Sequence, residues 1–334
     1  MTGLATERGF HAIPTAMHAS ASTWLRALLD VPTLLLHHDD AHLAAVLTQV
    51  ATGIDAFTAL LTKDLPKVVD PSEFYEVYRP LLNGFHEHPL GVILRLDLLN
   101  RAKVHDLKME AKGPSAGQST LFLLLDLALG LKHAPHANAS ATGDTSTSSA
   151  AETSSPSSSR DKASPPSPMA SFQREMLAYM PSEHRALALD FAEALHATGY
   201  RSVAGYLDEG PPLQSAAATP KTQSSSENGS SGADSVRSPS ATRLRRAPRP
   251  FGPWASARRT AARTAYSRCC ASLASMRRAH LSVVSTYLAT RGANKGTGAT
   301  SYGKLLSEAL ANTSAAATDA KSADTKGSQK PKRE

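Results

Sequence analysis

The stretch that decides the fold is ARRTAARTAYSRCCASLASMRRAHLSVVSTYLATRG, residues 257–292. Its apolar positions Tyr266, Cys269, Leu273, Met276, Val283, Val284 and Tyr287 recur every three or four residues. That spacing puts them on one face of a long amphipathic helix. His280 sits on the same stripe, between Met276 and Val283, with Arg277 and Arg278 just upstream. An imidazole on a core-facing stripe must find a partner, because burying it unpaired is costly. The partner is either a polar neighbour or a metal, and this helix alone does not choose between them.

Working outward, the 334 residues suffice for one or two domains. Hydrophobic residues make up 41% and aromatics only 5%, and both deficits are local. Residues 136–170 and 211–250 hold almost no large apolar side chains, so what remains has a core-forming composition. The net charge of +7 is local as well. Arg243, Arg245, Arg246, Arg249, Arg258, Arg259 and Arg263 crowd one region, and Lys326, Lys330, Lys332 and Arg333 sit near the end. These arginines read most simply as solvated linker and helix-start residues, with a nucleic-acid surface as the alternative. The two cysteines, Cys269 and Cys270, are adjacent. Helical neighbours point about 100° apart and do not easily form a disulfide, so a reducing, cytoplasmic setting is expected. The apolar run from Leu121 to Leu131 falls short of the roughly 20 residues a membrane span needs, and no membrane partner is expected.

In chain order, Pro14 is expected to open a helix with Ala16, Trp24, Leu25 and Leu28 as core positions, followed by a short apolar turn over 31–36. Asp39 or Asp40 caps the next helix, whose inner face is Leu43, Val46, Leu47, Val50, Ile54, Phe57 and Leu61, and Pro66 stops it near Lys63. Asp70-Pro71-Ser72-Glu73 is a strong helix start with a capping-box pattern. Phe74, Val77, Tyr78 and Leu81 then share a face, and Pro80 kinks the helix beside Arg79. Residues 86–112 are ambiguous between a small strand and a loop with a helical turn. The turn Gly113 to Ser119 feeds a helix that is apolar nearly all round, where Asp126 is the exception and needs a cationic or hydrogen-bonded partner. Helices follow from Ser171 and from Ser182, the latter with Leu187, Phe191, Ala194 and Leu195 inward. A last helix spans about 302–312. The fold class is all-α: one helical domain over 10–312, interrupted by disordered low-complexity insertions at about 134–170 and 211–253. A disordered basic tail over 313–334 follows it.

The short motifs exclude several chemistries. Gly298 to Lys304 matches G-x-x-x-x-G-K, but Leu305 stands where a phosphate loop needs Ser or Thr, and no strand precedes it. His86 and His88 form a weak H-x-H array, and no zinc set, H-E-x-x-H or G-x-S-x-G is present.

The larger blocks carry more. FYEVYRPLL (74–82), GPSAGQS (113–119) with Leu121, Phe122 and Asp126, MLAYMPSEHR (176–185), MRRAHLSVVSTYL (276–288) and GTGATS (296–301) together resemble the indoleamine 2,3-dioxygenase family, in its order and roughly its spacing. The resemblance covers about 10–133, 171–207 and 255–312. It implies a helical haem-binding domain that uses haem b and O2 to cleave the indole C2–C3 bond of L-tryptophan, or a related indoleamine, to N-formylkynurenine, in a monomer. His280 matches the family's proximal iron ligand. Arg277 matches an arginine on the haem-propionate side, and Asp126 matches an aspartate near it. Phe74 and Tyr75 match aromatic residues on the substrate side, with Tyr75 replacing what is often a phenylalanine. Arg79 matches the arginine that pairs with the substrate carboxylate. Ser115, Ala116 and Gly117 match a turn passing close over the haem, and Thr300 matches a threonine of a loop that closes over the amino acid. The family's N-terminal small domain and the helix bearing its distal-pocket residues have no counterpart in this reading, which expects the roof of the pocket to be missing. Two rival functions remain: a non-enzymatic haem or O2-binding protein on the same scaffold, and a helical module using Arg243–Arg263 on nucleic acid.

Overall fold

The computed structural model describes residues 2–84, 92–96, 105–109, 112–133, 167–209, 253–297 and 300–327. Its axis is the helix read first from the sequence, which runs over Pro253–Tyr287. Ala262, Cys269, Cys270 and Leu273 are fully buried along it, and Tyr266 and Met276 nearly so. Both cysteines are free. Burial pushes the Cys270 thiol up to about 12 and the Cys269 thiol well up too, so neither is a thiolate at neutral pH.

Two helices are laid lengthwise against this axis. One is α3, Asp40–Val68, continuous except for a π-helical turn over Leu60–Asp64. Asp39 caps it by accepting from the His42 N–H at 3.1 Å, and Leu43, Leu47, Val50, Ile54 and Phe57 are buried along its inner face. By length and composition this helix is apolar enough to cross a membrane, and its apolar stripe is spent on the core instead. Pro66 does not end it, because the π-helical turn already frees a backbone carbonyl ahead of the proline and the helix runs two residues past it.

In front of α3 lie α1 (Ala5–Leu29) and α2 (Val31–His37). Pro14 lies inside α1 rather than opening it. It removes a single hydrogen bond to the Phe10 carbonyl, and the stripe Ile13, Met17, Ala21, Trp24 and Leu28 is buried on both sides of it. Ala16 is off that stripe and exposed. The apolar stretch 31–36 is the helix α2 rather than a turn.

The segment 71–82 forms α4, with a π-helical turn over Phe74–Tyr78 between Pro71–Glu73 and Arg79–Leu82. Asp70 caps it, accepting from the Glu73 N–H at 2.8 Å. The π-turn takes more residues per turn and so lowers the rotation per residue, and Phe74 and Tyr78 stay buried while Val77 and Leu81 face solvent. The ambiguous region contains an antiparallel hairpin, β1 (Val92–Leu96) with β2 (His105–Met109), pairing Val92 with Met109 and Leu94 with Leu107. His86 and His88 lie outside the described residues. Apart from this hairpin the described elements are helical, and the all-α expectation holds.

The remaining helices are α5 (Thr120–Leu129), α6 (Pro168–Leu177), α7 (Ser182–Ala197), α8 (Val203–Glu209), α9 (Pro253–Tyr287, the axis) and α10 (Tyr302–Gly327). Residues 134–166 and 210–252, which hold most of both expected insertions, lie outside the described residues. α6 starts at Pro168, capped by Ser167, earlier than the sequence indicated. In α7 the inward face is Ala188, Phe191, Ala192 and Leu195, whereas Leu187 and Ala194 are exposed. The largest difference is at α10, which does not stop near Asn312 but continues to Gly327. Thr313, Ala317 and Ala320 are buried, and the Ser267 hydroxyl of α9 donates to the Ala317 carbonyl at 3.0 Å. A small, alanine-rich sequence looks like a tail, but it has high helix propensity and packs closely on another helix.

Two arginines at the start of α9 serve the fold. The Arg259 guanidinium lies 3.9 Å over the Tyr206 ring and 3.5 Å from Asp40. Arg263 donates to the Leu207 carbonyl and lies 3.6 Å from Asp208. Two of the cations that a nucleic-acid surface would have needed are thus committed to holding α8. Arg243, Arg245, Arg246 and Arg249 lie outside the described residues.

Candidate functional site

The second half of α9 differs from the first. Ala279, His280, Leu281, Val283 and Val284 are all only half-buried, before Tyr287 is buried again. His280 lies deep among protein atoms yet keeps part of its surface accessible. Burial lowers its pKa, so the imidazole is neutral at neutral pH. Among the described residues no hydrogen bond to His280 is present. A neutral, inward-facing imidazole with a free nitrogen is the form that ligates a metal.

One turn earlier lies a buried polar knot. The Arg277 guanidinium donates to Asp126 of α5, to the Thr313 hydroxyl and to the Ala309 carbonyl, the last at 3.1 Å. The other oxygen of Asp126 lies 2.9 Å from His133 Nε2 and accepts from the Gln173 amide at 2.9 Å. The Asn312 amide lies 3.3 Å from His133 Nδ1 and completes the chain. Burial alone would push the Asp126 carboxyl up, but Arg277 and His133 outweigh it and hold it below its ordinary value. Asp126 therefore has the cationic partner its place in an apolar helix demands. Both terminal nitrogens of Arg277 are engaged in the knot, which fixes α9 to α5 and α10 next to His280. His133, Gln173 and Thr313 belong to this knot and carried no signal in the sequence, because their contacts join distant segments.

The α4 helix supplies the aromatic wall. Phe74 meets Tyr287, two turns beyond His280 on α9, with ring centroids 5.8 Å apart. From the other side α1 lays Phe10 against Phe74 at 5.0 Å, and His11 Nε2 lies 2.5 Å from the Tyr78 hydroxyl. The first turns of α1, uninformative as sequence, thus pack against Phe74 and Tyr78. Tyr75 and Arg79, one turn apart, face elsewhere. The Arg79 guanidinium lies 5.6 Å from the Tyr75 ring centroid, and its Nη2 donates to the Lys295 carbonyl at 2.8 Å. Arg79 Nε is buried with no partner.

The turn at Ser115 is held by its own side chains. Ser115 accepts from the Gly117 N–H at 3.2 Å, and the Gln118 side chain both accepts from the Ser115 N–H and donates to the Gly113 carbonyl. Gly117 has to be small for a reason the sequence did not offer. A Cβ there would come within 2.3 Å of Phe172 and 3.1 Å of Met176 on α6. Gly113 is pressed against the Leu82 and Thr297 carbonyls and donates to the latter at 3.0 Å. The Thr300 carbonyl accepts from the Gly296 N–H at 3.0 Å. α4, the Ser115 turn and the segment after α9 are thereby brought together.

A model of the family described as indoleamine 2,3-dioxygenase matches residues 1–211. The chain belongs to the indoleamine 2,3-dioxygenase family. It is 29% identical over 179 residues to indoleamine 2,3-dioxygenase 1 of Rattus norvegicus, covering 54% of this chain and 36% of that protein. It is 31% identical over 137 residues to a 6-hydroxytryptophan 2,3-dioxygenase of Fusarium equiseti, covering 40% and 32%. With indoleamine 2,3-dioxygenase 1 of Mus musculus it shares 28% over 130 residues, covering 38% and 30%. The chain spans about a third of the length of these curated relatives. The family match contains Phe74, Tyr75, Arg79, the Ser115 turn and Asp126, whereas Arg277, His280 and Thr300 follow it in the chain.

Proposed function

We propose that this chain is a haem-dependent dioxygenase acting on the indole ring of L-tryptophan or a related indoleamine. The observation that carries this reading is His280, a neutral, half-buried imidazole, unpartnered among the described residues and flanked by Val283 and Val284. Among the described residues no three His, Cys, Asp or Glu side chains converge on one point. A metal held by His280 must therefore bring most of its other ligands with it, as a porphyrin iron does. The residues present fit that group.

When bound, haem b supplies the redox iron at which O2 is activated, and the protein supplies position and environment. His280 would ligate the iron from α9, and the Asp126–Arg277 knot keeps the preceding turn of that helix from shifting. Tyr75 would wall the indole with Phe74 packed behind it on α4, and Arg79 would receive the substrate carboxylate in a charge-assisted hydrogen bond. The Ser115–Gly117 turn and Thr300 would close the remaining sides and exclude water.

The test is the absorption spectrum of the full chain reconstituted with haem, together with formation of N-formylkynurenine from L-tryptophan under reducing conditions. A histidine-ligated Soret band that is lost in His280→Ala, with product formed by the wild type, supports the reading. Equal spectra in both chains would sink the ligand assignment. A haem spectrum without product would favour an O2-binding protein on the same scaffold.

A further inference from the structure

A groove of about 1250 Å³ runs over α3, with α1 on one side and the first half of α9 on the other. Its nearer end, at Arg268, lies twelve residues before His280, about 18 Å along the axial helix. By composition the groove is rich in Ser and Thr, yet its surface is apolar. Ser20 and Thr23 of α1 donate back to the Met17 and Ser20 carbonyls at 2.9 and 2.8 Å. Thr48 and Thr52 of α3 do the same to Ala44 and Thr48, at 2.8 and 3.0 Å. With these hydroxyls satisfied by their own helices, the apolar atoms of the side chains join Ala45, Ala56 and Ala261 in lining the groove.

Two donors interrupt this surface, and they reach the same turn of α3 from its two flanks. From α9, Arg268 Nη2 lies 3.4 Å from Thr52 Oγ1. The ion pairs that α9 makes among the described residues use Arg259, Arg263 and Arg277 instead, so the Arg268 charge has no carboxylate on it. From α1, Trp24 is 1% exposed and its Nε1 has no hydrogen-bond partner. A Cβ at Gly53, the residue after Thr52, would come within 2.1 Å of that nitrogen, so the N–H edge of the indole lies against the Gly53 backbone. A buried donor without an acceptor is costly, and an unpaired guanidinium is a standing receptor for an anion.

We propose that the groove over α3 binds an amphiphilic carboxylate, a medium-chain fatty acid. Its head group sits at the Thr52–Gly53 turn, between the Arg268 guanidinium and the Trp24 N–H. Its chain runs along the apolar floor toward Ala45. From Gly53 back to Ala45 the helix rises about 12 Å, a length that suits a medium aliphatic chain and exceeds a short one. Charge sets the choice of occupant: the cation stands at one end of an otherwise apolar groove, and a single anionic group on an apolar body matches that distribution. The site is separate from His280 and requires neither haem nor tryptophan.

The experiment follows the indole N–H resonances of the full haem-free chain by nitrogen-15 NMR, with Trp254→Phe assigning the Trp24 signal. Decanoate is expected to move the Trp24 resonance downfield and to saturate it below about 1 mM. Decanol, which lacks the charge, and acetate, which lacks the chain, should each bind at least about ten-fold more weakly. Arg268→Ala should weaken decanoate about ten-fold and leave decanol unchanged, a split that general loosening of the helices would not produce. Ala45→Trp, at an exposed position, should block the chain and weaken decanoate while the circular dichroism stays that of the wild type. A Trp24 resonance that decanoate does not move, or equal affinities for decanoate and decanol, overturns the proposal. So does a dimer in sedimentation that Ala45→Trp dissociates and decanoate does not, because the groove then belongs to a second copy of the chain.

Discussion

The two halves of α9 have the same sequence character and opposite surroundings. From Ala262 to Arg277 the inner face is sealed, with Cys269, Cys270 and Leu273 at no measurable exposure. From Ala279 to Val284 the apolar positions continue, yet they are only half-covered. The buried polar groups differ in the same sense. Arg277, in the sealed half, has its terminal nitrogens on Asp126, Thr313 and Ala309, whereas His280 has no hydrogen bond among the described residues. Periodicity reports which face of a helix is turned inward, and it is silent on whether protein or a recess lies opposite. The satisfied cation marks a structural joint, and the imidazole without a hydrogen bond is where the proposed site lies.

If that contrast is right, substitutions in the two halves should fail in different measurements. The largest effect is expected from His280→Ala: complete loss of histidine-ligated haem absorption, with urea stability of the haem-free chain changed by less than about 1 kcal/mol, because no hydrogen bond is broken. Loss of both haem binding and fold in this variant would break the comparison. Arg277→Ala should do the reverse. It leaves the Asp126 carboxylate buried without its main partner, at a cost of about 3–5 kcal/mol in urea unfolding. Leu273→Ala, in the sealed half, should cost about 3 kcal/mol through the cavity it leaves. Val284→Ala removes a half-covered side chain and should cost about 1 kcal/mol. Equal losses at Leu273 and Val284 would mean that the second half of α9 is packed core after all.

Much of this was legible in the sequence, and the parts that were not share a physical cause. The axial helix, the Asp39 and Asp70 caps and the buried faces of α3 and α9 all follow from local spacing and capping chemistry. The errors arise where local rules are overruled. Pro14 sits in mid-helix because packing of the Ile13 to Leu28 stripe offsets one lost hydrogen bond. Val77 and Leu81 face solvent because a π-turn changes the rotation per residue, which a 3.6-residue template does not anticipate. The helix beyond Asn312 was missed because its inner face is made of Thr313, Ala317 and Ala320, small residues with little hydrophobic signal. At the site, the resemblance picked out Asp126 and Arg277. His133, Gln173, Phe10 and His11 entered only through contacts between distant segments.

The smallest expected effect concerns a slope rather than a stability, and it isolates the charge in the sealed half. Asp126 has a folded-state pKa below its ordinary value of 3.8, since Arg277 and His133 outweigh the penalty of burial. The carboxylate's contribution to stability is therefore complete above about pH 4 and is lost as pH falls through the folded value. Asp126→Asn keeps the shape of the side chain and removes the charge at every pH. At pH 7 the variant should be the less stable chain. Below pH 4 the gap should narrow as pH falls, no faster than about 1.4 kcal/mol per pH unit, the limit for one proton. A gap that stays constant down to pH 2 would mean that Asp126 contributes shape and hydrogen bonding but not charge. The knot would then be a neutral joint, and its contrast with His280 would lie in satisfied donors alone.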